Sequence, residues 1–249
     1  MKLLACDYDG TLNVAGVVSK ENLDAINAWR AAGNLFGMVS GRYLRYLREF
    51  MAKDGVPYDF LIGNNGAVIS DENGNASECT CISVHMADQL LCKVREYAPR
   101  HISVSFGEAS VLVTPESQVS VQDDALVIDG NRIGEVTQLH ASFTHAEDAL
   151  HVRNICEAAF GDLQCIMPGA FGIDFISTRA GKAVGLHRLL ELRGIDPEII
   201  LTVGDGDNDL AMLLAPDFCG YAMESSMPVV LEQVSRRTES VAALIKEYL

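Results

Sequence analysis

The stretch that decides the fold is LLACDYDGTL (residues 3–12), an apolar run that stops at two aspartates, a glycine and a threonine. The run is too short for a helix and a turn residue, Gly10, follows it, so we predict a buried strand over residues 2–6. Two comparable apolar runs, LFGMV (residues 35–39) and IILTV (residues 199–203), stop at the polar segments SGR and GDGDND. Each of these three predicted strands therefore ends where polar side chains begin.

Helical patterns alternate with these strands along the chain. Helices are predicted over residues 20–32, 43–53, 182–193, 210–214 and 241–248, and further short strands over residues 60–62 and 67–69. Strands that alternate with helices imply a parallel sheet with right-handed crossover connections. We therefore predict an α/β protein with a Rossmann-like, doubly wound parallel sheet as its core.

The pattern changes near residue 80, where an acidic segment with a different rhythm begins. Helical patterns in this segment cover residues 86–98 and 145–160, and alternating, strand-like runs cover residues 101–106, 110–113, 136–143, 163–167 and 171–176. Two helices on a mostly antiparallel sheet would form an α+β unit. We predict a core domain built from residues 1–80 and 178–249, with an α+β domain, residues 81–177, inserted between its two parts.

Composition limits the classes of function. The 249-residue chain has a formal net charge of -15, which opposes binding to nucleic acid or to an acidic membrane surface. No apolar run approaches the ~18 residues of a membrane span, and Asp7 interrupts the first run too early for a signal peptide. The seven cysteines form no C-x-x-C pair and fit reduced thiols. We predict a cytoplasmic protein without nucleic-acid or membrane partners, whose oligomeric state the sequence does not reveal.

Four polar clusters are predicted to meet at the carboxyl end of the parallel sheet, the edge where open α/β sheets bind ligands. They are Asp7 with Asp9, Ser40, Asp205 with Asp209, and Lys182 at the start of a helix. Packed carboxylates repel one another unless a cation lies between them, and oxygen ligands without histidine or cysteine suit Mg²⁺. A carboxylate can also attack phosphorus, while a hydroxyl, a lysine and backbone N–H groups stabilise the transferring phosphoryl group.

The same segments resemble the four motifs of the haloacid dehalogenase superfamily. DYDGTL (residues 7–12), SGR (40–42), GK (181–182) and GDGDND (204–209) match them in order, and the D-x-D-G-T opening points to the phosphatase branch. NGA (residues 65–67), followed by the large insert, is similar to the Cof-type subfamily with its large α+β (type IIB) cap. The sequence departs from that subfamily at ESS (residues 224–226), where Gly-Asn-Ala is usual.

The resemblance implies a role for each matching residue. Asp7 would be the nucleophile that takes the phosphoryl group, and Asp9 would be the general acid and then the base. Asp7, Asp205, Asp209 and the backbone carbonyl of Asp9 would be the Mg²⁺ ligands, although in some members the residue at position 209 orients Lys182 instead. The implied substrate-binding residues are Gly10, Ser40, Gly41, Arg42, Lys182 and Asn208.

We therefore predict an Mg²⁺-dependent phosphatase that hydrolyses a small soluble phosphomonoester through an aspartyl-phosphate intermediate. The resemblance to the subfamily implies that the substrate is a sugar phosphate. A phosphomutase would use the same four motifs, and a catalytically idle metabolite-binding protein would keep the same scaffold. A signalling receiver also uses a phosphorylated aspartate and a lysine, but it is much shorter and needs no general acid. The candidate contacts to the leaving group in the cap are His85, Arg100, His101, Arg132 and His140, and the simpler interpretation of each is a solvated surface residue. Arg45 and Arg48 face either the cleft or solvent.

Overall fold

A computed structural model describes residues 1–249. The strands are β1 (Lys2–Cys6), β2 (Asn13–Val14), β3 (Val17–Val18), β4 (Leu35–Val39), β5 (Phe60–Gly63), β6 (Val68–Ser70), β7 (Ala76–Cys79), β8 (His101–Phe106), β9 (Ala109–Val113), β10 (Val119–Gln122), β11 (Ala125–Ile128), β12 (Asn131–Ile133), β13 (Gln138–Ser142), β14 (Leu163–Ile166), β15 (Gly172–Ser177), β16 (Ile199–Gly204), β17 (Cys219–Met223) and β18 (Arg237–Thr238). The helices are α1 (Lys20–Ala31), α2 (Leu44–Asp54), α3 (Val84–Arg95), α4 (Ala146–Ala159), α5 (Lys182–Arg193), α6 (Leu210–Leu213), α7 (Pro228–Gln233) and α8 (Val241–Tyr248).

The largest sheet has eight strands in the order β18-β17-β16-β1-β4-β5-β6-β7. The strands from β18 to β5 run parallel, and β6 and β7 are antiparallel. Strand β1 is central and apolar on both faces, as a parallel strand covered by helices must be. Its Leu4 packs in the same hydrophobic cluster as Trp29 of α1, and its Leu3 packs on the other face in the cluster of Leu186 of α5. Helices therefore cover both faces of the sheet.

The chain between β7 and α5 forms a second body, which we call the cap. Its main sheet is antiparallel, with five strands in the order β14-β15-β13-β8-β9, and a separate sheet of three strands has the order β10-β11-β12. The cap has a hydrophobic cluster of its own, in which Leu90 of α3 and Val152 of α4 join Phe175 of β15. The predicted fold class, a doubly wound α/β core with an inserted α+β cap, is confirmed.

Several elements differ from the sequence-based prediction. Helix α3 begins at Val84 because the Ser83 hydroxyl accepts a hydrogen bond from the Met86 amide, an N-cap that lies earlier than the predicted start. The three short strands β10–β12 were not predicted, because each has only three or four residues, too few for a clear pattern. Strand β17 was also missed. Every helix in the protein is too short or too polar to span a bilayer.

Candidate active site

The predicted polar residues lie at one edge of the large sheet. Asp7 and Asp9 follow β1, Ser40 follows β4, and Asp205 follows β16. Lys182 is the first residue of α5. A cavity of about 540 Å³ opens between this edge and the cap. The predicted site residues that line the cavity are Asp7, Asp9, Ser40, Gly41, Arg42, Asp205 and Asn208, whereas Gly10, Lys182 and Asp209 do not line it.

Lys182 is buried between two carboxylates. Only 2% of the residue is exposed, and its Nζ lies 2.6 Å from Asp7 Oδ1 and 2.6 Å from Asp209 Oδ1. Burial alone would lower the pKa of Lys182, but the charges of Asp209 and Asp7 outweigh burial and raise that pKa well above its usual range. The ammonium group is therefore charged at every physiological pH, and it holds the Asp7 carboxylate from one side.

Both oxygens of Asp209 have partners within the protein. Asp209 Oδ1 accepts from Lys182, and Asp209 Oδ2 accepts from the amide N–H groups of Asp205 and Gly206 at 3.1 and 3.0 Å. A carboxylate engaged in this way is fixed in position and has little capacity left for a metal. Of the two roles that the resemblance left open for Asp209, the geometry therefore favours orientation of Lys182.

Carboxylates outnumber cations at the buried end of the site. Oxygen atoms of Asp7, Asp205 and Asp209 all lie within 4.8 Å of one another. Burial raises the pKa of Asp7 to about 8, against the opposing effect of Lys182. Burial also raises the pKa of Asp205. Because Lys182 balances only one of the three charges, and because carboxylate oxygens suit a hard cation, the remaining oxygens of Asp7 and Asp205 fit a divalent ion such as Mg²⁺.

Gly10 and Thr11 place the carboxylate of Asp205. The Thr11 hydroxyl, which is fully buried, donates to Asp205 Oδ1 at 2.7 Å. Gly10 has a φ of +84°, and a Cβ at this position would lie 2.3 Å from Asp205 Oδ2. Only glycine fits here, because a side chain would be strained by the backbone and would displace the carboxylate. Gly10 is among the predicted binding residues, whereas the role of Thr11 was missed, although Thr11 belongs to the same motif.

If the Asp7 and Asp205 carboxylates hold a divalent ion, Gly10→Ala is expected to weaken its binding by about 10-fold to 100-fold, the usual cost of disturbing a residue that orients a metal ligand. The reason is that the new Cβ pushes the Asp205 carboxylate out of place. Mg²⁺ affinity would be measured by titration calorimetry and by the Mg²⁺ dependence of activity. Gly16→Ala is a matched control, since Gly16 has a φ of +85° but no atom lies within 4 Å of the position that its Cβ would take. Equal losses in both variants would show that backbone strain alone, and not the Asp205 carboxylate, is responsible.

Asp9 is held by an arginine rather than by the buried cluster. Arg42 donates from Nε to Asp9 Oδ2 at 2.6 Å and from Nη2 to Asp9 Oδ1 at 2.7 Å. The guanidinium carbon lies 4.8 Å from the ring centroid of Phe50 and 5.3 Å from that of Tyr46. The Asp9 side chain is 53% exposed, so this pair lies at the open side of the cavity. The resemblance implied that Arg42 binds substrate, and the side-chain pairing with Asp9 is an addition from the structure.

The segment after β4 presents polar groups to the same cavity. The buried Ser40 accepts a hydrogen bond at Oγ from the amide of Arg42 at 3.2 Å. The amide N–H of Gly41 donates no hydrogen bond within the protein. Asn208 donates from Nδ2 to Asn65 Oδ1 at 3.3 Å. Ser40, Gly41 and Asn208 therefore line the same cavity as Asp7.

The cap supplies the opposite wall of the cavity. Of the candidate leaving-group contacts, His101 and His140 line it, whereas His85, Arg100 and Arg132 are exposed elsewhere on the cap. Arg45 pairs with Glu49 on α2, and Arg48 pairs with Glu108 of the cap; neither lines the cavity. The further cap residues that line the cavity are Ser103, Ser105, Gln138, Met167, Pro168 and Asp174.

Comparison with known proteins assigns the family. A family profile described as haloacid dehalogenase-like hydrolase matches residues 4–243. The chain belongs to this family. YxeH of Bacillus subtilis (strain 168), a phosphatase by its name, is 26% identical to this hydrolase over 259 residues, covering 96% of this chain and 93% of YxeH. A second relative, the 5-amino-6-(5-phospho-D-ribitylamino)uracil phosphatase YbjI of Escherichia coli (strain K12), is 26% identical and covers 96% of this chain and 91% of YbjI.

Solved structures share the fold of this haloacid dehalogenase-like hydrolase. A haloacid dehalogenase-like hydrolase from B. subtilis superimposes with a TM-score of 0.84 at 22% identity, and the match covers 100% of both chains. The resemblance seen in the motifs is thus confirmed, and the family together with its phosphatase relatives confirms the predicted class of enzyme, a phosphoric monoester hydrolase.

The loop that departs from the subfamily packs against the Asp205 segment of the hydrolase. Ser226 donates from Oγ to the carbonyl of Gly204 at 3.3 Å, and the amide of Met227 donates to the carbonyl of Asp205 at 3.0 Å. Met227 also lines the cavity. In this chain the loop is therefore hydrogen-bonded to the segment that carries Asp205, and it forms part of the cavity wall.

Proposed function

We propose that this hydrolase removes the phosphoryl group from a small phosphomonoester through an aspartyl-phosphate on Asp7, with the help of Mg²⁺. The observation that carries the proposal is the setting of Asp7. Its Oδ1 is held by Lys182, its Oδ2 has no partner in the protein, and the residue lines the cavity that also contains Asp9. A carboxylate fixed on one side and open on the other is suited to attack an electrophile in that cavity.

In the first step, Asp7 Oδ2 attacks phosphorus and the bond between phosphorus and the leaving oxygen breaks. Asp9 supplies the proton that the leaving alcohol needs. Lys182 stabilises the negative charge that develops on the phosphoryl oxygens, together with the Ser40 hydroxyl and the Gly41 amide. Proton transfer requires that Asp9 part from Arg42, and an anionic substrate in the cavity offers Arg42 an alternative partner.

In the second step, Asp9 removes a proton from a water molecule. The water oxygen attacks the phosphorus of the aspartyl-phosphate, and the bond from phosphorus to Asp7 breaks. Inorganic phosphate leaves and the Asp7 carboxylate is restored. Asp9 thus acts as acid in the first step and as base in the second, which returns the site to its starting protonation state.

Mg²⁺ would be held by Asp7 and Asp205, with the backbone carbonyl of Asp9 as a further ligand. When bound, the ion would neutralise charge on the carboxylates and on the phosphoryl oxygens. Thr11 and Asp209 would support this arrangement without direct contact, since each already hydrogen-bonds within the site. The surplus negative charge of the buried carboxylates supports this assignment.

The charge of the cavity favours hydrolysis over phosphoryl transfer between sugar positions. A mutase has to bind a second phosphate group, which calls for a second cationic subsite. Arg42 is the one lysine or arginine that lines the cavity, and no such residue comes from the cap. The acidic residues along the cavity wall, Asp174 and Asp207 among them, would repel a second phosphate.

The leaving group proposed here is a sugar or a sugar alcohol. The cap wall is rich in hydroxyl, amide and imidazole groups, which pair well with alcohol groups. The compound in the name of YbjI carries its phosphate on a ribityl chain, which is a sugar alcohol. We therefore place phosphorylated sugars and sugar alcohols, including that compound, first among the substrates to be tried.

The proposed function is tested with p-nitrophenyl phosphate and a panel of sugar and sugar-alcohol phosphates. Hydrolysis is expected with Mg²⁺ and is expected to vanish when EDTA removes the ion. Rapid acid quenching during turnover of ³²P-labelled substrate should trap label on the protein, and hydroxylamine should release it, as an acyl phosphate requires. Turnover that persists in EDTA, or quenched protein without label, would contradict the proposal.

Location and macromolecular partners stay predictions. They rest on the formal net charge of -15 and on the sequence. A cytoplasmic location and the lack of nucleic-acid and membrane partners agree with a site for small phosphorylated metabolites.

A further inference from the structure

A carboxylate of the cap holds a histidine ring at the edge of the cavity. Asp174 on β15 is opposite His140 on β13 in the antiparallel pair. Asp174 Oδ1 lies 2.7 Å from His140 Nδ1. The Asp174 residue is buried, with 3% exposed, whereas the His140 side chain is 28% exposed and lines the cavity. The ring is therefore anchored on the buried side and open on the cavity side.

This anchor fixes which nitrogen of His140 can accept a hydrogen bond. Asp174 Oδ2 accepts from Asn65 Nδ2 at 2.8 Å, so both oxygens of Asp174 act as acceptors. His140 must then donate from Nδ1–H, and in the neutral ring Nε2 carries the lone pair. His140 Nε2 has no partner within the protein. It is thus an oriented acceptor without a donor, on the wall that faces the phosphoryl site across the cavity.

The rest of the cap wall is polar but not cationic. Ser103, Ser105 and Gln138 line the cavity on the cap side. Burial lowers the pKa of His101, so that this ring is neutral near pH 7. A wall of uncharged hydrogen-bonding groups is suited to a leaving group that carries hydroxyls rather than a second negative charge.

We infer that His140 is a specificity-determining residue, which accepts a hydrogen bond at Nε2 from a hydroxyl group of the leaving alcohol, and that Asp174 is its positioning residue. The inference rests on the proposed function, since it assigns the part of the cavity that receives the alcohol released by Asp7. Because the hydrogen-bond donor belongs to the substrate, a leaving group without a hydroxyl forms no hydrogen bond with His140.

The same aspartate is connected to the phosphoryl site. Asn65, which is completely buried, donates from Nδ2 to Asp174 and accepts at Oδ1 from Asn208. Asn65 Nδ2 also lies 3.1 Å from Gln138 Oε1, and Gln138 Nε2 donates to the carbonyl of Gly41. A continuous path of hydrogen bonds thus joins His140 to Asn208 and Gly41. Asp174 therefore positions groups on both sides of the reacting bond, whereas His140 acts on the leaving group alone.

The test compares two kinds of substrate in the Mg²⁺-loaded enzyme. The probes are p-nitrophenyl phosphate, whose leaving group has no hydroxyl donor, and the best substrate from a panel of sugar and sugar-alcohol phosphates. His140→Ala is expected to lower kcat/KM about 10-fold to 100-fold for the sugar phosphate, the range for a lost hydrogen bond at a desolvated polar group. For p-nitrophenyl phosphate the same variant should change kcat/KM less than about 3-fold. His140→Gln should recover part of the loss, because its amide oxygen can accept the same hydrogen bond.

Asp174→Asn tests whether Asp174 positions His140 and Asn65 or only stabilises the fold of the cap. The variant places an amide donor against either His140 or Asn65, so it is expected to raise KM for the sugar phosphate and to lower kcat for p-nitrophenyl phosphate as well. A merely structural role would reduce the amount of active enzyme and leave KM unchanged. His145→Ala is the matched control, since His145 is an exposed cap histidine outside the cavity.

Each outcome decides the inference. It is overturned if His140→Ala lowers turnover of both substrates equally, if it changes neither, or if the wild-type enzyme shows no preference for any sugar or sugar-alcohol phosphate. If thermal unfolding shows that His140→Ala does not fold, the two substrates are compared in His140→Gln alone. Wild-type enzyme that hydrolyses neither substrate would refute the proposed function, and the inference with it, whereas normal wild-type turnover with unselective variants would refute the inference alone.

Discussion

Asp7→Asn is expected to abolish hydrolysis, with a loss of at least about 10⁴-fold in kcat, the scale on which enzymes lose activity when the nucleophile is removed. An amide cannot form the aspartyl-phosphate. The variant should still fold, because Asp7 is one of two carboxylates that hold Lys182 and Asp209 remains. Loss of activity is therefore expected without loss of structure.

The metal-free Asp7→Asn protein should in fact be more stable than the metal-free wild type. Burial raises the pKa of Asp7 to about 8 in the folded protein, above the ~3.9 of an unfolded chain. A raised carboxyl pKa contributes stability below pH ~4, and this stability is lost as the pH rises toward the folded-state value. The asparagine does not titrate. The advantage of the variant should therefore grow between about pH 5 and pH 8 and level off above that.

Thermal unfolding in EDTA at several pH values from about 5 to 9 measures this difference. Above pH ~8 we expect Tm of Asp7→Asn to exceed that of wild type by roughly 4 °C or more, which corresponds to about 1 to 2 kcal/mol for a chain of this size. Asp124→Asn, at an exposed position of the cap, controls for the loss of a surface charge. A difference in Tm that does not change with pH would show that Asp7 is not a buried, strained carboxylate. Saturating Mg²⁺ should reverse the order, because the ion stabilises the wild-type site.

The core of the site was predictable because its signals are local. The apolar run before Asp7 defines a strand by itself, and the run before Ser40 does the same. Parallel strands bring their carboxyl ends to one edge, so the topology alone places residues from distant parts of the sequence side by side. Even Lys182 could be assigned, since the glycine before it marks a helix start within a recognisable motif.

The contacts of the cap were not predictable for the opposite reason. Asn65 and Asp174 are 109 residues apart, and nothing near Asp174 in the sequence distinguishes it from a solvated acidic residue. His140 likewise looks like any surface histidine until the register of β13 and β15 places it beside Asp174. The pairing of Arg42 with Asp9 also depends on side-chain packing, since the rings of Tyr46 and Phe50 direct the guanidinium. Such contacts arise from tertiary packing, which a single sequence does not encode in any local pattern.

Lys182→Met is expected to remove activity and stability together, in contrast to Asp7→Asn. The methionine fills a similar volume but leaves the Asp7 and Asp209 carboxylates buried without their cation. Breaking a buried ion pair from one side costs roughly 3 to 5 kcal/mol, so Tm of the metal-free protein should fall by about 6 to 20 °C. The loss of kcat should be at least about 10²-fold to 10³-fold, as for the loss of one charge-stabilising donor.

Thermal unfolding and turnover of Lys182→Met are best compared with two further variants. Lys20→Met removes an exposed ion pair with Asp24, whose side chains are 85% and 64% exposed, and it should cost less than about 1 kcal/mol. The double variant Lys182→Met/Asp209→Asn removes one of the two unpaired carboxylates, so it should recover more than half of the lost stability while remaining inactive. If the double variant is as unstable as Lys182→Met alone, the instability arises from packing at position 182 and not from unpaired charge. Recovery of stability without activity would instead show that Lys182 serves two separable purposes, balancing buried carboxylates in the resting enzyme and phosphoryl charge during the reaction.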